Sequence, residues 1–306
     1  SVPAFYELPA ASLSETRAAH GPDAGSAGKP GLVVMSLGSA PAPPPTLMIL
    51  DAGGVTAVDL SGSMQSFATA GVYRLVAEAE MKVTFKVWGA GGGSSTLVDS
   101  AGRGRPDGDN HGSTSRNIGG GGGFAFCTMT LTVGQTYTVV VGSGGQTYTG
   151  NNYPQGSGGG YSGVFVSDAE PSQSNALLVA GGGGGGGFGD WSRPGGGGGA
   201  SGQDASYNSH RGTGAPAVAA GRGGSASGGG AAGADTGGGT GNPGDAGGPL
   251  SGGRSAGSSP TDSSACASAI GGGGCAYDCS GGSYDGGGGG GGYWGGGGGS
   301  CHWAGS

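Results

Sequence analysis

The longest glycine runs, Gly181–Gly187 and Gly286–Gly292, constrain what this chain can fold into more than any other feature. Ordering a backbone residue costs about 1–2 kcal/mol, and glycine gives up the most freedom while bringing no side chain to bury. Glycine fills 84 of the 306 positions, so the difficulty belongs to the whole chain and not to one linker. Either such runs stay disordered, or their amides find hydrogen-bond partners that offset the entropy. Disordered low-complexity chains are usually highly charged, whereas here only 10% of residues are charged and the net charge is −7. Several runs also follow directly on apolar, β-like stretches. These features predict ordered glycine held by a β framework.

Charge and hydropathy narrow the function. Clustered Lys and Arg are needed to hold phosphate backbones. This chain is acidic, with a pI near 4.9, and its lysines are only Lys29, Lys82 and Lys86. Nucleic acid is therefore not expected as a partner. No apolar run approaches the ~18 residues of a membrane span. The sequence begins at Ser1 with neither Met nor an apolar leader, the pattern of a mature, processed or trimmed product.

Three regions differ in pattern. Residues 1–60 read as an N-terminal extended arm: "SVPAFYELPAAS" opens with Val2, Phe5, Tyr6 and Leu8, and Ser39–Pro45 is a stiff proline spacer. "TLMILDAGGVTAVDL" then reads as two short strands around a Gly-Gly turn. Residues 61–180 carry the strand signals of a sandwich. "MKVTFKVW" alternates, with Val83, Phe85 and Val87 on one face and Lys82, Thr84 and Lys86 on the other. "MTLTVGQTYTVVVGSGG" reads as two strands around Gly134-Gln135, with Tyr137, Val139 and Val141 sharing a face. "MQSFATAGVYRLVAE", "YSGVFVSD" and "NALLVA" complete the set. Trp88, Val141 and Val179 lead almost directly into glycine. In residues 181–306 the strand signal vanishes and glycine dominates.

The cysteines divide unevenly. Cys127 alternates with Met129, Leu131 and Val133 and is expected as a small buried thiol. Cys266, Cys275, Cys279 and Cys301 fall where no apolar core exists, and two disulfides among them would suit an oxidising, extracellular setting. A zinc site from Cys275, Cys279, Cys301 and His302 is the competing reading, although its spacing matches no familiar zinc pattern.

No constellation for catalysis emerges. Gly28-Lys29 is followed by Pro30, which breaks a phosphate-loop motif. Gly238-Gly239-Thr240-Gly241-Asn242 approaches a calcium nonapeptide, but Pro243 stands where Asp is required. His20, His111, His210 and His302 are isolated from one another and from any nucleophile. No cofactor is expected. Phe188, Trp191, Tyr293, Trp294 and Trp303 sit among glycines, either as exposed contacts for sugars or proteins or as caps over the glycine segments.

A glycine run can adopt an extended helix of three residues per turn and ~3.1 Å rise, like polyproline II. Such a helix has no internal hydrogen bonds, so its amides must bond neighbouring helices, with Cα–H···O contacts as a supplement. This packing is polyglycine II. A collagen-like rhythm at Gly238, Gly241, Gly244 and Gly247 is too brief to specify a triple helix.

"FATAGVYRLV", "KVTFKVWGAGGG", "GGGGGFAFCTMTLTVGQTYTVVVGSGGQ" and "NALLVAGGGGGGG", in that order, resemble the glycine-rich domain of the anaplastic lymphoma kinase and leukocyte tyrosine kinase ectodomains. Polyglycine II-containing phage and bacterial surface adhesins share the theme. The resemblance spans roughly residues 64–187, and "GGGGGGGYWGGGGGSC" echoes the receptors' closing segment. It implies a jelly-roll-like β-sandwich with an inserted bundle of polyglycine II helices and little or no α-helix. Residues 1–60 have no counterpart in that pattern, and no ligand-binding residue can be carried over.

The sequence therefore predicts a mainly β, non-enzymatic extracellular protein: a self-assembling subunit of a filament, sheath or virion surface, held by its N-terminal arm. The alternatives are a receptor-binding adhesin at a fibre tip, which would contact a cell-surface glycan or protein, and a ligand-binding glycine-rich ectodomain.

Overall fold

The structure is a computed structural model that describes residues 28–37, 46–51, 54–59, 64–94, 119–148, 155–167, 169–187, 192–193, 197, 201–207, 221–233, 244–255, 270–275 and 287–299. Within them the protein is mainly β, with antiparallel sheets and no helix.

One sheet has four strands in the order β4 (Met64–Phe67), β1 (Leu32–Leu37), β6 (Met81–Trp88) and β7 (Phe124–Leu131). The other runs β12 (Ala176–Ala180), β11 (Ser162–Val166), β8 (Thr136–Val141) and β5 (Gly71–Ala77), and is widened to six by the hairpin of β2 (Thr46–Asp51) and β3 (Gly54–Asp59). Two short pairs, β9 (Thr147–Tyr148) with β10 (Gln155–Gly156) and β13 (Ser192–Arg193) with β14 (Ser206–Tyr207), lie outside these sheets.

Period-two alternation sends one side of each sheet into a shared core. Met35, Val83, Phe85 and Val87 from the four-stranded sheet meet Leu75, Tyr137, Val139, Val141 and Val164 from the other. The arrangement is β-sandwich-like. Val83, Phe85 and Val87 point inward as their spacing predicts, while Lys82 is exposed. Part of the outer face of the six-stranded sheet, around β8 and β11, is covered too. Val140, Tyr161 and Phe165 form a second cluster there, against which Leu250 and Ile270 of the glycine-rich region pack.

Two features depart from the simplest strand reading. First, Leu32–Leu37, which the sequence groups with the arm, is an inner strand hydrogen-bonded to both β4 and β6. The hairpin β2–β3 is also built into a sheet, through β5. Second, the turn at Gly134-Gln135 does not make a hairpin, because β7 and β8 belong to different sheets. Leu131 and Tyr137 both enter the core, so the turn is a corner that crosses from one layer to the other. Gly134 supplies the left-handed conformation at that corner (φ 73°), and the Tyr137 hydroxyl accepts the Thr132 amide at 3.0 Å.

Six strands continue into glycine at one end of the sandwich. β6, β8 and β12 run out into residues 89–93, 142–146 and 181–187, while β1, β7 and β11 are entered from 28–31, 119–123 and 156–161. Register places these ends side by side: Trp88 lies opposite Leu32 and Phe124, and Gly163 lies opposite Val140 and Val179.

Candidate functional site

The glycine segments bond to one another through their backbones, and the pattern has a period of three. Gly89 and Gly92 donate to Gly123 and Gly120, Ala90 and Gly93 donate to Gly160 and Ser157, and Gly91 donates to Lys29, all at 2.9–3.2 Å. A strand sends successive amides to two opposite sides, whereas these point in three directions in rotation. Residues 181–187 occupy the middle of the array. Gly183 and Gly186 donate to Ala90 and Gly93 of a parallel neighbour, and Gly182 and Gly185 donate to Gly291 and Gly288 of an antiparallel one.

Glycine is required here by close approach. A Cβ on Gly183 would collide with the Gly120 carbonyl, and one on Gly290 with that of Gly182. Neither neighbour can give way, because each is itself backbone bonded on other sides.

Tyr293 and Trp294 stand at the tip of a glycine hairpin. Gly296 and Gly299 donate to Gly290 and Gly287 at 2.9 and 3.0 Å, so residues 287–291 and 295–299 run antiparallel. The tip is pinned by Gln173, whose Nε2 donates to the Tyr293 carbonyl at 2.5 Å, and by pairing of Trp294 with Pro249. Tyr293 is exposed and Trp294 half-buried. Both line a half-open groove of about 300 Å³, with Leu177 and Leu178 on one wall and Gly223, Gly224 and Gly290–Gly292 on another. Backbone amides and carbonyls with two aromatic rings suit an uncharged polar ligand more than a charged one.

A second surface lies on the outer face of the four-stranded sheet. Phe124 and Phe126 are exposed on β7, and Phe124 packs against Trp88 with ring centroids 4.8 Å apart. Phe126 is opposite Lys86 and Thr128 opposite Thr84, whose hydroxyls are 2.7 Å apart. Burial pushes the Lys86 ammonium below its usual pKa. Trp88 is itself buried, and its indole N–H has no hydrogen-bond partner among the described residues. Sequence reading missed this face, although the alternation of Phe124, Phe126 and Thr128 was available to mark it.

Of the remaining candidates, Cys127 is a free, half-buried thiol on edge strand β7 and not a fully buried one. Partial burial raises its pKa. Val133 is exposed beyond the strand end, so it does not share the inward face. Cys275 is disulfide-bonded, and no disulfide joins the two described cysteines. Cys266, Cys279 and Cys301 lie outside the described residues, as do Val2, Phe5, Tyr6, Leu8, Phe188, Trp191 and Trp303 and all four histidines. Among the described residues no three His, Cys, Asp or Glu side chains gather into a metal site, and no helix is long and apolar enough to cross a membrane. No protein-family model, curated protein or solved structure matches the chain.

Proposed function

We propose that this chain is a non-enzymatic extracellular structural protein, a self-assembling subunit of a filament, sheath or virion surface. In this reading a jelly-roll-like sandwich carries a bundle of polyglycine II helices, as the resemblance to receptor-kinase and adhesin glycine-rich domains implies. The observation that carries it is the three-residue period of the bonds from Gly89–Gly93 and Gly182–Gly186. A backbone-to-backbone array spends its residues on rigidity and offers few side chains for chemistry, which suits a load-bearing part. The disulfide at Cys275 supports an oxidising compartment. The N-terminal arm, through Val2, Phe5, Tyr6 and Leu8, joins neighbouring copies. Negative-stain microscopy and light scattering of the purified chain test this. Regular polymers are expected, and a monomer at every concentration overturns it.

The fibre-tip adhesin is the second reading, favoured by the groove beside Tyr293. A glycan array probed with the full chain and with Tyr293→Ala separates the two. Retention of a sugar by the full chain and its loss in the variant would favour the adhesin.

A further inference from the structure

Strand β7 is an edge of the four-stranded sheet, and edges of that kind normally carry a guard. Lysines, prolines, bulges or short length keep edge amides from pairing with another chain. β7 has none of these. It is eight residues long, "FAFCTMTL" contains no charge and no proline, and its register against β6 is unbroken from Met81–Leu131 to Trp88–Phe124. Beside it lie the exposed rings of Phe124 and Phe126 and two of the chain's three lysines, Lys82 and Lys86. Positions on this face, Lys82, Thr84, Lys86 and Trp88 with Phe124, Phe126, Thr128 and Thr130, include no acid.

We propose that β7 receives the N-terminal segment of a second copy of this chain, with Val2–Leu8 adding to Phe124–Leu131 as a fifth strand. This deepens the assembly reading and rests on it. The chemistry of the segment fits the edge. An added strand gains main-chain hydrogen bonds, and alternating apolar side chains continue the two faces of the sheet. Val2, Phe5, Tyr6 and Leu8 supply those side chains, while Glu7 brings a carboxylate to a face that carries cations alone.

Chain length puts both the segment's own β7 and a neighbour's within reach, and the assembly reading selects the neighbour. The path from Gly28 into β1 starts two strands from β7, because the sheet order is β1-β6-β7. With strands ~4.8 Å apart, closing onto its own edge spans about 14 Å, the work of roughly five extended residues. Residues 9–27 provide far more than that, enough to reach about 60 Å. Donor and acceptor differ, so the contact is heterologous and propagates.

Complementation tests the proposal. Thr128 and Thr130 are exposed, so Thr128→Lys with Thr130→Lys puts a guard on the edge without entering the core. Phe5→Ser with Tyr6→Ser and Leu8→Ser removes the donor. Each full-length variant alone should be monomeric with an unchanged circular dichroism spectrum. The lysine variant loses the Thr84–Thr128 hydrogen bond and sets a cation opposite Lys82, so it should melt slightly lower while staying folded. Their equimolar mixture should form a dimer and nothing longer, because one supplies a donor and the other an edge. Thr128→Val with Thr130→Val should assemble as the native chain does. If the native chain polymerises and the lysine variant does so equally, or the mixture stays monomeric, the edge assignment falls while assembly stands. If the native chain is monomeric throughout, both fall.

Discussion

Gly183 and Ala90 are joined by an N–H···O bond of 2.9 Å, and three residues on Gly186 and Gly93 repeat it. The repeat means that two segments launched from different sheets, after β12 and β6, run parallel and in phase. Phase matters because every third amide faces the same neighbour. A side chain on a residue facing inward has nowhere to go.

The first expectation follows from that packing. Gly183→Ala places a methyl against the Gly120 carbonyl and should destabilise by about 3 kcal/mol or more, since the array must part to admit it. Gly228, in the turn closed by the Ser225–Gly228 bond, has open space around its Cβ position. Gly228→Ala should be neutral or stabilising by up to ~1 kcal/mol through the unfolded state. Thermal unfolding of the two variants decides it. Equal melting temperatures would contradict the close packing.

Amide exchange gives the second. Gly182, Gly183, Gly185 and Gly186 all donate inside the array, as do Gly288, Gly289 and Gly291. Their amides should exchange as slowly as those of core strands β6 and β8. Random-coil rates across residues 181–187 would mean that the array does not hold in solution.

Much of the sandwich was legible because side chains announce it. Val83, Phe85 and Val87 alternate with Lys82, Thr84 and Lys86, and burial follows that alternation. β1 was harder to place, since its partners Phe67–Met64 and Trp88–Val83 lie far along the chain and no local turn marks them. The corner at Gly134-Gln135 has the composition of a hairpin turn, and only the shared core of Leu131 and Tyr137 makes it a crossing. Within the glycine array the sequence says that amides need partners but not which ones. Gly183 and Gly185 are chemically identical, yet one bonds residue 90 and the other residue 288. The aromatic face at Phe124 and Phe126 is written in the same alternation, each ring lying opposite an outward residue of β6.

Cys127 offers a third check. Burial raises its thiol pKa, so less thiolate is present near neutrality and alkylation of the folded protein should be slow. Denaturation without reductant should release one fast-reacting thiol, Cys127, while Cys275 stays blocked in its disulfide. Mass spectrometry of the alkylated peptides reads both. Alkylation of Cys275 without reduction would contradict the disulfide.

Alkaline stability provides a fourth. Tyr161 packs edge-on against Phe165 with centroids 5.9 Å apart, and its hydroxyl is pushed up to about 12 by burial and then by the charge of Glu170. The unfolded value is ~10, so the folded state holds this proton more tightly. The resulting stability is fully present below pH 10 and is lost as pH rises from about 10 through 12. Roughly 2 kcal/mol is at stake. Other groups titrate in the same range, so the readout is the difference between native protein and Tyr161→Phe. That difference should shift in favour of Tyr161→Phe between pH 9 and pH 11.5 in urea unfolding. A constant difference would remove Tyr161 from the alkaline transition.

Leu250 sets two opposing terms against each other. It is a non-glycine residue with positive φ (52°), in the tight turn Gly248–Ser251 where Gly248 and Ser251 exchange hydrogen bonds at 2.8 and 3.3 Å. Pro249 suits the first central position of such a turn, and glycine is the usual choice for the second. Leucine there costs of order 1 kcal/mol in backbone strain. Its side chain, however, packs with Ile270 on the cluster of Val140, Tyr161 and Phe165, tying the glycine array to the outer face of the six-stranded sheet. Fully burying a leucine contributes about 1.5–3 kcal/mol. Leu250 is half-buried, so its packing is worth about 1–2 kcal/mol. Together with the backbone entropy that a glycine adds to the unfolded chain, that packing outweighs the strain. Leu250→Gly should therefore destabilise, despite relieving the backbone, by about 1 kcal/mol. Leu250→Ala keeps the strain and loses most of the contact, so it should cost more than Leu250→Gly. Urea midpoints for the two variants test the order. A Leu250→Gly variant more stable than the native chain would show that the side chain anchors nothing.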